Sequence, residues 1–296
     1  MIFGKGHGGR LHGPASQNSN IRKPIMKIKD SIAVITGAAG GIGKAVAIEL
    51  ANRGIRGLAL ADQSEAVLDA AGAINKLKGD NVAIGYNGDV ADPNFRTDVY
   101  ADMKAKFGRV NICVPAAGIT RDRLAVKVDK ETKNVAIYPI EMFRQVVEIN
   151  LIAPVYWGLE LVAGIAQERA RQGAKRWEPT EPLQGAVVLI GSVSSLGNKG
   201  QIAYAATKAG LNGAAATLMM EAIFHGVRCG VVHPGYTDTP MVRAVGEAII
   251  QEHIIPHTQL RRLVQPEEVA DAICFMISND TISGSLWADA GWHPTP

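Results

Sequence analysis

An apolar run, Ile32-Ala33-Val34-Ile35, breaks at once into Thr36-Gly37-Ala38-Ala39-Gly40-Gly41-Ile42-Gly43 and then opens a helical pattern, and no other feature restricts the fold of this chain as strongly. Glycines there permit a tight bend and a close approach of backbone to a ligand, while the helix that follows offers its N–H groups and dipole to negative charge. Strand, glycine turn and helix in that order make a resting place for a dinucleotide pyrophosphate. Further apolar runs follow at residues 57–61, 82–86, 110–114, 186–190, 228–232 and 286–288. Helix-length stretches separate the first six of the seven, which predicts an α/β, doubly wound fold whose parallel sheet is covered by helices on both faces. Such folds bind ligands at the carboxyl ends of their strands.

At 296 residues with 47% apolar content, the chain can bury a sizeable core. A net charge of +3 gives no general attraction to nucleic acid or to a membrane. Basic residues are unevenly placed: Lys5, Arg10, Arg22, Lys23, Lys27 and Lys29 precede the first acidic residue, Asp30. Residues 1–26 therefore read as a disordered tail, with Met26 an alternative functional start, and residues 27–296 as the folded domain. The tail has no secretory pattern, and Glu160 and Glu221 interrupt the longest apolar stretches, so no membrane span is expected. Cys113, Cys229 and Cys274 are far apart and sit in apolar segments, which fits core packing in a reducing, cytoplasmic compartment. No metal is expected: His253 and His257 have ligand spacing, but Pro256 breaks the helix that would align them.

The second apolar run ends in a carboxylate, Asp62, placed to accept hydrogen bonds from ribose hydroxyls and to repel a 2′-phosphate. NAD is thus expected over NADP, since Gly40, Ala61 and Gln63 supply no cation. Asp62 also suits a helix N-cap before Gln63-Ser64-Glu65, and both roles are compatible. Farther along, Tyr204 and Lys208 lie four apart and share a helix face, so an ammonium beside the phenol would lower its pKa toward neutrality. That pair, with Ser192 upstream, makes a proton donor for a carbonyl.

Taken in series, these motifs resemble the short-chain dehydrogenase/reductase family from about Lys27 to Trp292. The resemblance implies a single-domain Rossmann fold with a seven-stranded, mainly parallel sheet. It assigns Thr36, Gly37, Gly41, Ile42 and Gly43 to the pyrophosphate turn, and Asp89 and Val90 to the adenine. Gly118, Pro234, Gly235, Thr237 and Thr239 complete the cofactor set. Tyr204 becomes the general acid or base, Lys208 binds the nicotinamide ribose, Ser192 steadies the substrate oxygen and Asn150 holds a relay water. Two positions depart from the family pattern. Ser192 precedes Tyr204 by twelve residues, one fewer than usual, and Pro115-Ala116-Ala117-Gly118 replaces Asn-Asn-Ala-Gly.

Residues 241–261 lie where the family places its substrate lid, and Ala244, Val245, Ile249, Ile250, Ile254 and Ile255 make that segment apolar, suited to an acyl chain or to packing on the sheet. Two long connections, residues 121–139 and 167–184, carry Arg121, Arg123, Lys127 and Lys130, and Arg169, Arg171, Lys175 and Arg176. These could meet coenzyme A phosphates or an acidic carrier protein, or form a solvated face. The resemblance points to a 3-oxoacyl reductase or 3-hydroxyacyl-CoA dehydrogenase working with NAD. It also implies a dimer or tetramer built through the helices of Asn150 and Tyr204 and through residues 284–291. A non-thioester alcohol or a hydroxysteroid is the alternative substrate, and a cofactor-binding sensor or scaffold is the alternative class.

Overall fold

A computed structural model describes residues 26–292. Its seven-stranded sheet consists of β1 (Ile32–Thr36), β2 (Gly57–Asp62), β3 (Ala83–Asn87), β4 (Ile112–Pro115), β7 (Gly185–Ile190), β8 (Val227–Pro234) and β9 (Gly284–Ala288). The strands run in the order β3-β2-β1-β4-β7-β8-β9, and every pairing is parallel. The order reverses direction between β1 and β4, which leaves a crevice at the carboxyl ends of these two strands. A separate two-stranded antiparallel hairpin, β5 (Val126–Val128) and β6 (Val135–Ile137), occupies the first long connection.

The helices are α1 (Gly41–Asn52), α2 (Ala66–Lys78), α3 (Pro93–Lys106), α4 (Ile140–Val147), α5 (Ala153–Arg171), α6 (Ile202–Ala222), α7 (Pro240–Arg243), α8 (Glu247–Ile249) and α9 (Pro266–Ser278). All five β1 residues are buried, and they alternate between the faces of the sheet. Ala33 and Ile35 join Val46 and Leu50 of α1, Val67 and Ile74 of α2 and Ile273 of α9 in one core layer. Ile32 and Val34 join Met103 of α3, Trp157 and Leu161 of α5 and Leu211 of α6 in the other. The three cysteines are unpaired and buried.

Residues 1–25, the greater part of the expected tail, lie outside the described residues. Met26 itself is buried, and its backbone N–H donates to the Asp280 carboxylate at 3.3 Å. No membrane span is expected where Glu160 interrupts the apolar stretch, yet α4, a π-helical turn (Glu148–Ile152) and α5 form one helical run of 32 residues, Ile140–Arg171, long and apolar enough by length and composition alone. Trp157, Leu161 and Ile165 of that run are fully buried in the layer beneath the sheet, as in the core helix of a globular protein.

Trp157 anchors this layer. Its indole N–H donates to the Val90 carbonyl at 2.8 Å, and its ring meets Phe95 edge-on at 6.2 Å and Tyr100 at 5.8 Å. Truncation would leave a large cavity and an unpaired carbonyl. Trp157→Ala is expected to cost about 3–5 kcal/mol, read by chemical denaturation.

Candidate active site

At the switch point, the glycine turn is interlocked with the strand beside it. Gly37 has φ +67°, and a Cβ there would lie 2.7 Å from the backbone of Ala117. A Cβ on Gly43 would lie 2.3 Å from the Gly37 carbonyl oxygen. Only glycine lets the turn pass this close: Gly37 is fixed by contact and by conformation, Gly43 by contact alone. Gly40, by contrast, faces open space. Helix α1 begins there with no side-chain cap and no acidic residue in its first turn, leaving its first N–H groups to an anion.

Asp62 ends β2 against this turn. One carboxylate oxygen accepts from Ala39 N–H at 3.0 Å and the other from Ser64 N–H at 2.9 Å. Asp62 is not the helix cap that the sequence also suited: α2 starts at Ala66 with Glu65 in the N-cap position and no side-chain cap, and Asp62 instead closes the turn before it. An ionised carboxylate has roughly four acceptor sites, of which two are taken here. Beyond it, Asp62, Asp89, Val90, Gly118 and Ile149 line a cavity of about 100 Å³. Asp89 steadies its own loop by accepting from Ala91 N–H at 2.9 Å.

A larger cavity of about 310 Å³ opens on the other side of the turn. Gly37, Gly41, Ile42, Gly43 and Asp62 line one end, and Ser192, Tyr204 and Lys208 the other, with Pro234, Gly235, Thr237 and Thr239 along the wall. Gly235 is forced: a Cβ would meet the Asp289 backbone at 2.6 Å. Thr239 caps α7 by accepting from Val242 N–H at 3.4 Å, while the buried Thr237 donates to the Gly235 carbonyl at 3.1 Å.

Thr36 and Asn150 are buried and shape the site from behind. Thr36 accepts from Ala117 N–H at 3.1 Å and so ties β1 to the segment after β4, where the sequence has Ala116 in place of an asparagine. Asn150 lies on the π-helical turn and clasps Ile119, accepting from its N–H at 2.9 Å and donating to its carbonyl at 2.8 Å. A Cβ on Gly118 would lie 3.5 Å from the Asn150 amide oxygen and 3.9 Å from Lys208 Nζ, so the two side chains converge on that glycine.

Lys208 is buried and donates to the Ile190 carbonyl at 2.7 Å. Its ammonium stands 5.5 Å from the centre of the Tyr204 ring. The sequence predicted a phenol lowered toward neutrality, and the structure reverses the direction. Desolvation pushes Tyr204 up to about 12, with the neighbouring Ser192 hydroxyl a smaller opposing effect. The same desolvation brings Lys208 down to about 8. Burial outweighs the attraction between the groups because a charge on either must leave water.

Beside Tyr204 a smaller cavity of about 90 Å³ is lined by Thr120, Asp122, Gln201, Tyr236, Met241, Val242 and Val245. The apolar segment over it divides by role. Val245 faces this cavity, whereas Ile250 and Ile254 are buried with Leu263 in a small core of their own. The hairpin is attached at its base, where Arg123 N–H donates to the Gly200 carbonyl at 2.8 Å and Gln201 donates to Asp122 at 2.8 Å. His257 Nδ1 lies 2.9 Å from the His253 carbonyl oxygen, so that ring is engaged by its own backbone. Sequence reasoning overlooked His233, buried directly beneath Ser192 with Nδ1 3.2 Å from the Ser192 nitrogen. The only signal was a histidine inside an apolar strand, one residue before Pro234-Gly235.

Residues 37–293 match the family model described as enoyl-(acyl carrier protein) reductase. Among curated proteins, a human 3-oxoacyl-[acyl-carrier-protein] reductase is 32% identical over 87% of this chain and 95% of its own. The enzyme of that name from Escherichia coli is 31% identical, covering 86% of this chain and 93% of its own. A dog (3R)-3-hydroxyacyl-CoA dehydrogenase is 28% identical, covering 86% and 92%. In three dimensions the crystal structure of gox2181 aligns with a TM-score of 0.74 at 26% identity, covering 90% of this chain and 96% of its own. A short-chain type dehydrogenase/reductase from Mycobacterium marinum shares the fold, with a TM-score of 0.76 at 22% identity over 90% and 96%. Glycine turn, switch-point crevice and Ser-Tyr-Lys wall therefore belong to a chain of the short-chain dehydrogenase/reductase family, NAD(P)-dependent oxidoreductases that act on CH–OH groups.

Proposed function

We propose that this protein is an NAD(H)-dependent dehydrogenase/reductase that interconverts a 3-hydroxyacyl and a 3-oxoacyl thioester. The observation that carries the reading is one continuous cavity wall, with Asp62 at the ribose end and Ser192, Tyr204 and Lys208 at the other. The residues fit a dinucleotide: an uncapped helix start for the pyrophosphate, glycines that admit it, and free acceptor sites on Asp62 for ribose hydroxyls. Bound there, the nicotinamide would supply the hydride. A carbon–hydrogen bond forms at the substrate carbonyl as its oxygen gains electrons and then a proton.

The proton comes from Tyr204. A phenol held near about 12 is fully protonated at neutral pH, ready to donate to the developing alkoxide. Ser192 donates a second hydrogen bond to that oxygen. Lys208 stabilises the tyrosinate left behind, and Asn150 holds the Ile119 backbone beside it. The relatives' names support an acyl thioester, and the apolar Met241, Val242 and Val245 offer a surface for its chain. Asp122, Gln201 and Tyr236 in the same small cavity favour a second reading, a hydroxyl-bearing secondary alcohol. A reducing, cytoplasmic setting accords with three free buried cysteines.

NADH oxidation with acetoacetyl-CoA, beside a panel of simple ketones, tests the assignment. Turnover of the thioester is expected, while turnover of another ketone alone would leave the mechanism and discard the substrate. Tyr204→Phe should abolish turnover and keep NADH binding; unaltered biological activity of that variant would favour a sensor or scaffold. Asp62→Ser should shift preference toward NADPH, measured as the ratio of kcat/KM for the two cofactors, and an unchanged ratio would remove Asp62 from ribose recognition.

The pH dependence has a definite sign in each direction. Oxidation needs the phenolate, so its rate should climb with pH from neutrality toward 12, the range over which Tyr204 loses its proton. Reduction needs the neutral phenol and a charged Lys208, so it should be level in acid and decline as pH rises through about 8. Parallel profiles in the two directions would contradict this assignment of the proton.

A further inference from the structure

The mechanism makes no use of His233, a fully buried titratable side chain on β8 directly beneath Ser192. Its Nδ1 lies 3.2 Å from the Ser192 nitrogen, 3.1 Å from the Ser192 carbonyl oxygen and 3.4 Å from Ser195 Oγ. Nε2 lies 2.9 Å from Asn212 Oδ1 on α6, and that oxygen also accepts from Ser285 Oγ on β9 at 3.2 Å. The ring stacks on Trp287 of β9, with centroids 4.3 Å apart and planes 16° from parallel.

We infer that His233 is a positioning residue for Ser192: its bare Nδ1 accepts the Ser192 N–H and sets where the serine hydroxyl is presented to the substrate oxygen. This rests on the proposed ketone chemistry only for its kinetic arm. An amide oxygen only accepts, so Asn212 Oδ1 places the imidazole proton on Nε2 and leaves Nδ1 as an acceptor. The Ser192 carbonyl already receives the Ser195 N–H at 3.0 Å, whereas the Ser192 N–H is buried and finds its acceptor in the ring.

Two further contacts tie the ring to the serine. Gly191 has no room for a side chain, because a Cβ would stand 2.3 Å from His233 Nδ1, so the imidazole lies flat against the chain entering Ser192. The Ser192 hydroxyl accepts from Ser194 N–H at 3.1 Å, which occupies one of its two acceptor lone pairs and leaves its proton for the site. Moving the Ser192 backbone therefore moves the donor. Burial lowers the pKa of His233 against the opposing pull of the Ser192 backbone, with Lys208 nearby adding to the lowering, so the ring is neutral, as this arrangement requires.

Leucine and asparagine are alike in size, but only asparagine can return an acceptor near the place of Nδ1. His233→Leu is expected to lower kcat for ketone reduction about 10- to 100-fold with the KM for NADH held. His233→Asn should recover most of that loss. Placed on Ser192→Ala, His233→Leu should cost less than about twofold more, since an effect transmitted through the serine hydroxyl vanishes with it. Equal losses in the Leu and Asn variants, or a full further loss on Ser192→Ala, would reduce His233 to packing. Independently of turnover, imidazole ¹⁵N shifts of the wild-type protein should show His233 protonated on Nε2 and bare on Nδ1. The opposite tautomer would overturn the inference even if every variant failed to fold. A wild type inert toward every ketone would instead defeat the functional reading and leave the tautomer to decide this one.

Discussion

Everything at this site hangs from the parallel pairing of β1 with β2 on one side and β4 on the other. Because the chain leaves β1 toward β2 and returns later to β4, the loops at the carboxyl ends of β1 and β4 diverge, and a crevice is unavoidable. The glycine turn fills part of it, pressed so closely on Ala117 that Gly37 tolerates no Cβ, and folded so closely on its own Gly37 carbonyl that Gly43 tolerates none either. Asp62 then reaches back from β2 to hold Ala39, which makes this cavity-lining carboxylate a brace of the turn.

Opposite, burial governs the chemistry. A phenol and an ammonium placed together in water would each favour the charged form of the other, but withdrawn from water each is driven toward neutrality. That leaves Tyr204 a reserve of protons at neutral pH and Lys208 a cation only just retained. The pair is therefore poised for donation at neutral pH.

How much of this could be read from the sequence depended on the kind of constraint. Backbone requirements were legible: Gly37 and Gly43 are glycine because nothing else fits, and the continuous apolar runs are what strands buried on both faces must be. The i, i+4 spacing of Tyr204 and Lys208 placed them together, yet the direction of their pKa shifts escaped, since burial is a property of the packed whole. The hairpin of β5 and β6 was hidden because each strand has three residues and Lys127 interrupts the apolar pattern. His233 was hidden for a different reason. Its partners, Ser192, Asn212 and Trp287, come from β7's end, α6 and β9, so no local window contains the cluster.

The replacement of the family's Asn-Asn by Pro115-Ala116 shows how the fold absorbs a missing polar group. Pro115 has no N–H, and the pairing of β4 with β7 is short, covering Ile112 with Ala186 and Cys113 with Val187. On the other side β4 stays in register to the end, Thr36 opposite Pro115, and Thr36 serves twice there. Its carbonyl receives the Ala116 N–H at 3.2 Å and its hydroxyl the Ala117 N–H at 3.1 Å. One threonine thus satisfies two successive donors that would otherwise face the cavity floor unpaired. Asn150 performs the matching task one step on, closing both polar groups of Ile119. From Ala116 to Ile119 the floor is held by Thr36 from β1 and by Asn150 from the π-helical turn, so the path between the glycine turn and the wall of Ser192, Tyr204 and Lys208 stays fixed without the asparagine pair.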